Sequence, residues 1–315
     1  MSTHLIVPFA STDSAAGLQA RQSLHLPHLE RLLGRMRQVG RLGGDAMSPN
    51  PPHEQALARA LGWSTDDSAL AHQALPWAAQ RANELGLPGH EGGWGLLTPV
   101  HLHLGTDQVS LNDPAVLGLD EAASRQWLDV LRPLFDTEGF SLHWAAPDAW
   151  LARHPMFESL STASLDRVIG RNVDPWLPDH RSARLLRRLQ NEAQMLLYTH
   201  PLNDAREAAG QLTLNSFWLS GTGALPAATP AAASVRLDDR LRRPALTEDW
   251  AAWCEAWRAL DAGPLAELAA SRAPVQLTLC GERQAVHYQT VPQGMGARLA
   301  GLWRRSDVQR HLETL

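Results

Sequence analysis

The chain has 315 residues, 44% hydrophobic and 19% charged, enough to bury a sizeable core as one large domain or two ordinary ones. A net charge of -5 counts against nucleic acid as a main partner, because such binding neutralises phosphates with a basic face. Cys254 and Cys280 are too few for a disulfide framework or a thiolate metal site, and no stretch approaches the roughly 20 apolar residues of a membrane span.

The start, MSTHLIVPFA, has no basic stretch leading into a long apolar one, so no secretory leader and a cytoplasmic location are expected. Leu5 to Phe9 reads as a short buried strand, with Pro8 at its edge or turn. LPHLERLLGRMRQ carries Leu26, Leu29, Leu32, Leu33 and Met36 at helical spacing, then Gly40, Gly43 and Gly44 punctuate. EQALARALGW and Trp77 to Leu85 read as further helices. In LLTPVHLHLGTDQVSLN the apolar residues alternate, which suits two strands joined by Gly105–Gln108. Asp120 to Phe135 opens with acidic residues as a helix should, and GFSLHW follows as a strand. Ser182 to Tyr198 is a long amphipathic helix, and NSFWLSG is a strand running into a glycine turn. Ala224 to Ser234 has nothing to build a core with and reads as a linker. A Trp-rich helix, the strands PVQLTL and AVHYQT, and a last helix near Leu315 complete the chain.

Alternation of strands and helices predicts an α/β fold: a central, mostly parallel sheet with helices on both faces and an α+β subdomain inserted in the middle of the chain. The expected segments are 1–95 for the first part of the core, 96–225 for the middle subdomain, and 226–315 for the elements completing the core.

Three groups of residues carry candidate chemistry. His200, Asn203, Arg206, Asn215, Trp218, Gly221 and Gly223 crowd one helix–loop–strand unit, HPLNDAREAAGQLTLNSFWLSGTG. A strand ending in glycines lets backbone N–H groups approach a ligand, and this residue set suits a small anionic molecule. Arg181, Arg184, Arg187 and Arg188 form a basic cluster: a solvated helix face paired with Glu192, or a candidate anion site, Arg181, Arg184 and Arg188 above all. His101 and His103 share one side of a strand, as two metal ligands would, but no motif places a third. Trp250, Trp253 and Trp257 fall at helical spacing and are most simply core, while Trp176 and Trp218 sit inside polar motifs as candidate pocket walls.

The runs DPWLPD, RLQNEAQMLLYTHPLN and NSFWLSGTG closely resemble bacterial RpfE-type regulatory proteins, over most of the chain from Leu5 to about Leu225. More distantly, LPHLERLL, the region Val100 to Arg153, and HPLN with NSFWLSGTG resemble archaeal-type cofactor-independent phosphoglycerate mutases of the alkaline phosphatase superfamily. That resemblance implies an alkaline-phosphatase-like scaffold, two metal ions held by Asp and His, and a Ser or Thr nucleophile. It also implies an Asp-Gly step directly after the first strand, where this chain reads LIVPFAS, with Ser11, Thr12 and Asp13 just beyond. The adjacent Asp-His expected after a C-terminal strand is missing as well; Asp179–His180 follows DPWLP instead.

Without those carboxylates two divalent cations lack anionic ligands. The expectation is therefore a regulatory or ligand-binding relative without catalysis, recognising a small anionic metabolite or a protein partner and needing no cofactor. The alternative is a metal-dependent phosphoglycerate mutase or phosphohydrolase with displaced ligands, in which Asp13, His101, His103, Asp179 and His180 would have to meet.

Overall fold

Leu5, Ile6 and Val7 are fully apolar, and they form an interior strand of a five-stranded sheet in the computed structural model of the chain, which describes residues 3–178, 183–226, 234–291 and 307–315. The chain begins with β1 (Thr3–Val7), α1 (Ala15–Gln22), α2 (Pro27–Leu33), β2 (Met36–Gly43), α3 (Pro52–Ala60) and α4 (Asp67–His72). There follow α5 (Trp77–Glu84), β3 (Trp94–Val100), β4 (Leu102–Leu104), β5 (Val109–Leu111) and α6 (Glu121–Thr137). The middle continues with β6 (Ser141–Ala146), β7 (Ala149–Arg153), α7 (Ala183–Tyr198), α8 (Pro201–Ala208) and β8 (Ser216–Gly223). The remaining elements are β9 (Val235–Leu237), α9 (Arg242–Leu246), α10 (Trp250–Leu260), α11 (Ala266–Ala270), β10 (Val275–Cys280), β11 (Gln284–Thr290) and α12 (Val308–Glu313). Most of the linker segment, residues 227–233, lies outside the described residues.

The chain divides into two compact units, Met1–Ala71 with Thr229–Leu315, and His72–Ala228. The first holds the sheet β2-β11-β10-β1-β9. β1 runs parallel to both β10 and β9, whereas β10–β11 and β11–β2 are antiparallel. The sheet is thus mixed, not mostly parallel as the alternation of elements predicts. The hairpin after β10 reverses direction through Gly281 and Glu282, and β2 joins on its far side.

α2 begins with Pro27, whose missing N–H is no loss in a first turn, and the next two amides are capped by Asp261: Leu29 N–H donates to Oδ1 at 2.8 Å and His28 N–H to Oδ2 at 3.2 Å. α10 is capped by Asp249 and buries Trp253 and Trp257 completely, their rings edge-to-face at 6.1 Å. The core expectation for this helix is met. Met36, in contrast, does not continue the preceding helix but opens β2, because α2 stops at Gly34.

In the second unit the sheet β6-β7-β3-β8 is antiparallel throughout, with β4 and β5 as a separate hairpin. α6 contributes Trp127, Leu128, Leu131 and Phe135 to its core, and α7 contributes Leu186, Leu189, Ala193 and Leu197. These meet Leu142, Trp150, Phe217 and Leu219 of the sheet. Among the described residues no helix is long and apolar enough to cross a membrane.

Candidate functional site

The segment His200 to Gly223 folds by engaging its own polar groups. His200 caps α8, its Nδ1 accepting from Leu202 N–H at 3.2 Å, and its ring lies 5.4 Å from that of Trp127. Asn203 is buried; its Nδ2 donates to the carbonyls of Leu197 (2.8 Å) and Leu214 (2.7 Å) while its Oδ1 accepts from Leu214 N–H at 3.0 Å. Both amide hydrogens are therefore in use. Arg206, also buried, donates from Nε to the Leu212 carbonyl at 2.7 Å and from Nη2 to that of Leu117. Burial pulls its pKa below the ordinary arginine value.

Asn215 imitates a strand residue, its Oδ1 accepting from Leu102 N–H at 2.7 Å and its Nδ2 donating to the Leu102 carbonyl at 2.9 Å. Trp218 is buried with its indole N–H on the Ala163 carbonyl at 3.0 Å. Gly221 has φ +60°, and a Cβ there would stand 3.0 Å from Cβ of Trp77 on α5. Gly223, at φ +135°, would meet Pro76 at 3.1 Å. These glycines let the start of α5 close onto β8.

The other candidates are scattered. Arg184 is exposed; Arg187 donates to the Pro178 carbonyl at 3.0 Å; Arg188 bridges Glu138 and, at 3.7 Å, Glu192. Arg181, Asp179 and His180 lie outside the described residues. His101 Nδ1 is 2.8 Å from the Thr213 carbonyl oxygen, and His103 is exposed on β4. Trp176 lies beneath Arg167, 6.0 Å from ring centre to guanidinium carbon.

In the first unit, the carboxyl ends of the parallel strands β1 and β10 are where open α/β sheets place ligands. Phe9 adopts φ +54° there, an unusual conformation for a bulky residue. Buried Thr12 donates to Glu282 at 3.2 Å, and buried Arg21 donates to Ser11 Oγ and Glu313, each at 3.3 Å. Asp13 pairs with Arg283 at 3.2 Å. Carboxylates here face arginines and hydroxyls, and among the described residues no group of three or more His, Cys, Asp or Glu gathers. That residue set does not fit the dinuclear centre the mutase resemblance implies.

A cleft of about 460 Å³ opens instead in the second unit, between α6, β6 and the turn after α5. Its construction starts at Asp120, whose carboxylate accepts from Ala123 N–H at 2.8 Å and so fixes the first turn of α6. Arg125 and Arg132 are seven residues apart and share one side of the helix, with Leu128 and Asp129 between them. Opposite them β6 supplies Leu142, His143 and Trp144.

Trp144 is held by Ser124, whose hydroxyl oxygen accepts from the indole N–H groups of both Trp144 (3.1 Å) and Trp150 (2.9 Å). On this fixed ring lies the Arg125 guanidinium, its carbon 4.0 Å from the ring centre. Arg125 Nε donates to Glu121 at 2.9 Å. Arg132 donates to the Leu142 carbonyl at 3.0 Å and to Asp129 at 3.4 Å from two of its nitrogens. The His143 pKa is held below its ordinary value first by burial and then by the charges of Arg132 and Arg153.

Both elements of the cleft, a helix over Asp120–Phe135 and a strand at GFSLHW, are legible in the sequence, but the site between them is not. The signal was present in the spacing of Arg125 and Arg132 on a helix whose other side is apolar.

No protein-family model matches the chain, and no curated protein matches it. Among solved structures it is similar to a cofactor-independent phosphoglycerate mutase from Thermoplasma acidophilum DSM 1728 at 14% identity and TM-score 0.37, covering 100% of both chains. It is also similar to the PH0037 protein from Pyrococcus horikoshii at 12% identity and TM-score 0.49, covering 98% of this chain and 91% of the other. At such values nothing about chemistry passes from either protein to this one.

Proposed function

We propose that this protein is a ligand-binding, regulatory protein that recognises a small anionic metabolite in the cleft between α6 and β6 without transforming it. One observation carries the reading: a guanidinium seated on a fixed tryptophan ring at the lip of a cleft floored by leucines. The volume of about 460 Å³ falls within the roughly 300–1,000 Å³ of small-molecule sites, and such sites combine apolar walls with a few placed polar groups. The mutase-like reading has less behind it, since the described acidic and histidine side chains do not gather into a metal set.

The test is a panel of carboxylate and phosphate metabolites, phosphoglycerates included, scored by melting temperature for the wild type and Arg125→Met. Anions stabilise the wild type and not the variant. A panel without any shift, or an equal shift in both proteins, removes the cleft from consideration. Mutase and phosphate-release assays with added manganese check the second half of the proposal, and sustained turnover of a phosphoglycerate overturns it.

A further inference from the structure

Resting on that reading, the arrangement of charge around the cleft narrows the class of ligand. Arg132 has Nε and Nη2 on Asp129 and Nη1 on the Leu142 carbonyl. Arg125 engages only Nε, on Glu121; among the described residues neither of its Nη atoms has a hydrogen-bond partner. One two-pronged donor edge is therefore open, and its end-on geometry matches the two oxygens of a carboxylate.

The surrounding charges are already balanced: Asp129 and Glu121 stand beside Arg132 and Arg125. His143 adds no charge at neutral pH, because burial and two neighbouring guanidinia disfavour its protonation. A phosphate monoester, carrying about -1.5 to -2 at pH 7, would bring a second negative charge against Asp129 and Glu121, while Arg132 is already paired with Asp129 and Arg153 with Glu91. Away from Arg125 the apolar part of the lining comes from Leu85 and Leu87 in the turn after α5, Leu128 from α6 and Leu142 from β6.

We infer that the ligand is a monocarboxylate with an apolar, ring-sized body, its carboxylate held end-on by the two Nη atoms of Arg125 and its body lying against the exposed Leu85. The Arg125–Glu121 bridge does not compete strongly for the guanidinium, since both side chains are more than half exposed and such pairs are weak.

The experiment is isothermal titration calorimetry on the full chain at pH 7.5 and constant ionic strength with three probes: 4-phenylbutyrate, its neutral amide and phenyl phosphate. 4-Phenylbutyrate binds at one site, and the amide and phenyl phosphate each bind at least about 5-fold more weakly, because a charge-assisted pair outweighs a neutral one and the dianion is unmatched. Arg125→Met weakens the carboxylate about 10-fold or more and leaves the amide unchanged. Leu87→Glu, which sets a carboxylate at the lip while keeping Arg125, shifts the carboxylate in the same direction and again spares the amide.

Tighter binding of phenyl phosphate than of 4-phenylbutyrate, lost in Arg125→Met, overturns the monocarboxylate class while leaving an anion site in place. Equal affinity for carboxylate and amide shows that charge is not read and also overturns the inference. Carboxylate binding that survives both substitutions puts the ligand elsewhere. Failure of all three probes, together with a flat metabolite panel, removes both the inference and the reading beneath it.

Discussion

Two regions of the second unit each combine arginine, histidine and tryptophan, and they use their polar groups in opposite ways. Between His200 and Gly223 the polar side chains turn inward: Asn203, Arg206 and Asn215 all bond to backbone groups, and His200 caps a helix. Between α6 and β6, Arg125 keeps two donors open over a tryptophan ring at the edge of a cleft. Only the first looks like a pocket in the sequence. What separates them is what the donors are aimed at: Asn203, Asn215 and the Nε and Nη2 of Arg206 are spent on backbone groups, whereas both Nη atoms of Arg125 stay open at a cleft.

That contrast is sharpest at Asn203. Replacing it with Leu keeps a side chain of similar size but strands the Leu214 carbonyl and amide in the interior and leaves the Leu197 carbonyl with the His200 N–H alone. Each stranded buried group costs about 1–3 kcal/mol, so with relaxation the loss should be about 3–4 kcal/mol in urea unfolding. A loss under about 1 kcal/mol would mean that water reaches these groups and that the segment is less closed than its geometry.

A third polar set, in the first unit, extends the inward pattern to a titratable pair. The Thr278 hydroxyl stands 2.8 Å from His4 Nε2 and 2.8 Å from His287 Nδ1. With one proton it donates to one ring and accepts from the other, an arrangement that two neutral histidines satisfy. Burial, and secondly the neighbouring His287, lowers the His4 pKa from 6.5 to about 4. Above pH 7 the folded and unfolded chains are both neutral at this site, so it adds no pH dependence. As pH falls from 6.5 towards about 4 the unfolded chain takes up a proton that folded His4 refuses, and stability declines through that window before levelling off. The loss amounts to roughly 3 kcal/mol at about 1.4 kcal/mol per pH unit. His4→Gln should flatten the decline measured by urea unfolding between pH 7 and pH 4; an unchanged slope assigns it to other groups.

Gly221 tests the backbone side of the same comparison. Gly221→Ala imposes φ +60° on an L-residue and sets a Cβ 3.0 Å from Trp77. The conformation alone costs about 1–2 kcal/mol, so calorimetry should show a fall in melting temperature of several degrees. No fall would mean that α5 is free to move away from β8.

Much of the frame was legible because its periods are clean. α6, α7 and α10 carry apolar stripes, α6 and α10 behind acidic caps, and β10 and β11 read directly as strands. β2 was not legible: Met36, Val39 and Leu42 stand three apart, a helical spacing, on a strand at the edge of the sheet where half the residues face water. Sheet direction also escaped, since whether β11 returns antiparallel depends on the turn at Gly281–Glu282 and on β2 being a strand at all. The site was hidden for a different reason. Asn, His and glycine clustered in sequence look functional, but whether a side chain is saturated depends on carbonyls far along the chain, such as Leu117 for Arg206.

The smallest effect on stability is expected where the largest effect on binding is. Arg125 is half exposed, its bridge to Glu121 is a surface pair, and its contact with Trp144 is made at the rim of the cleft. Exposed pairs contribute about 0–1 kcal/mol and an exposed cation–π contact about 0.5–1 kcal/mol, part of which the methionine stem of Arg125→Met restores by packing on the ring. The variant should therefore unfold within about 0.5 kcal/mol of wild type, the usual range for surface substitutions. Urea unfolding of the two proteins side by side, without ligand, measures this. A loss of 2 kcal/mol or more, on the order of a buried network's worth, would show that Arg125 is structural like Arg206, and the two regions would then differ in position alone.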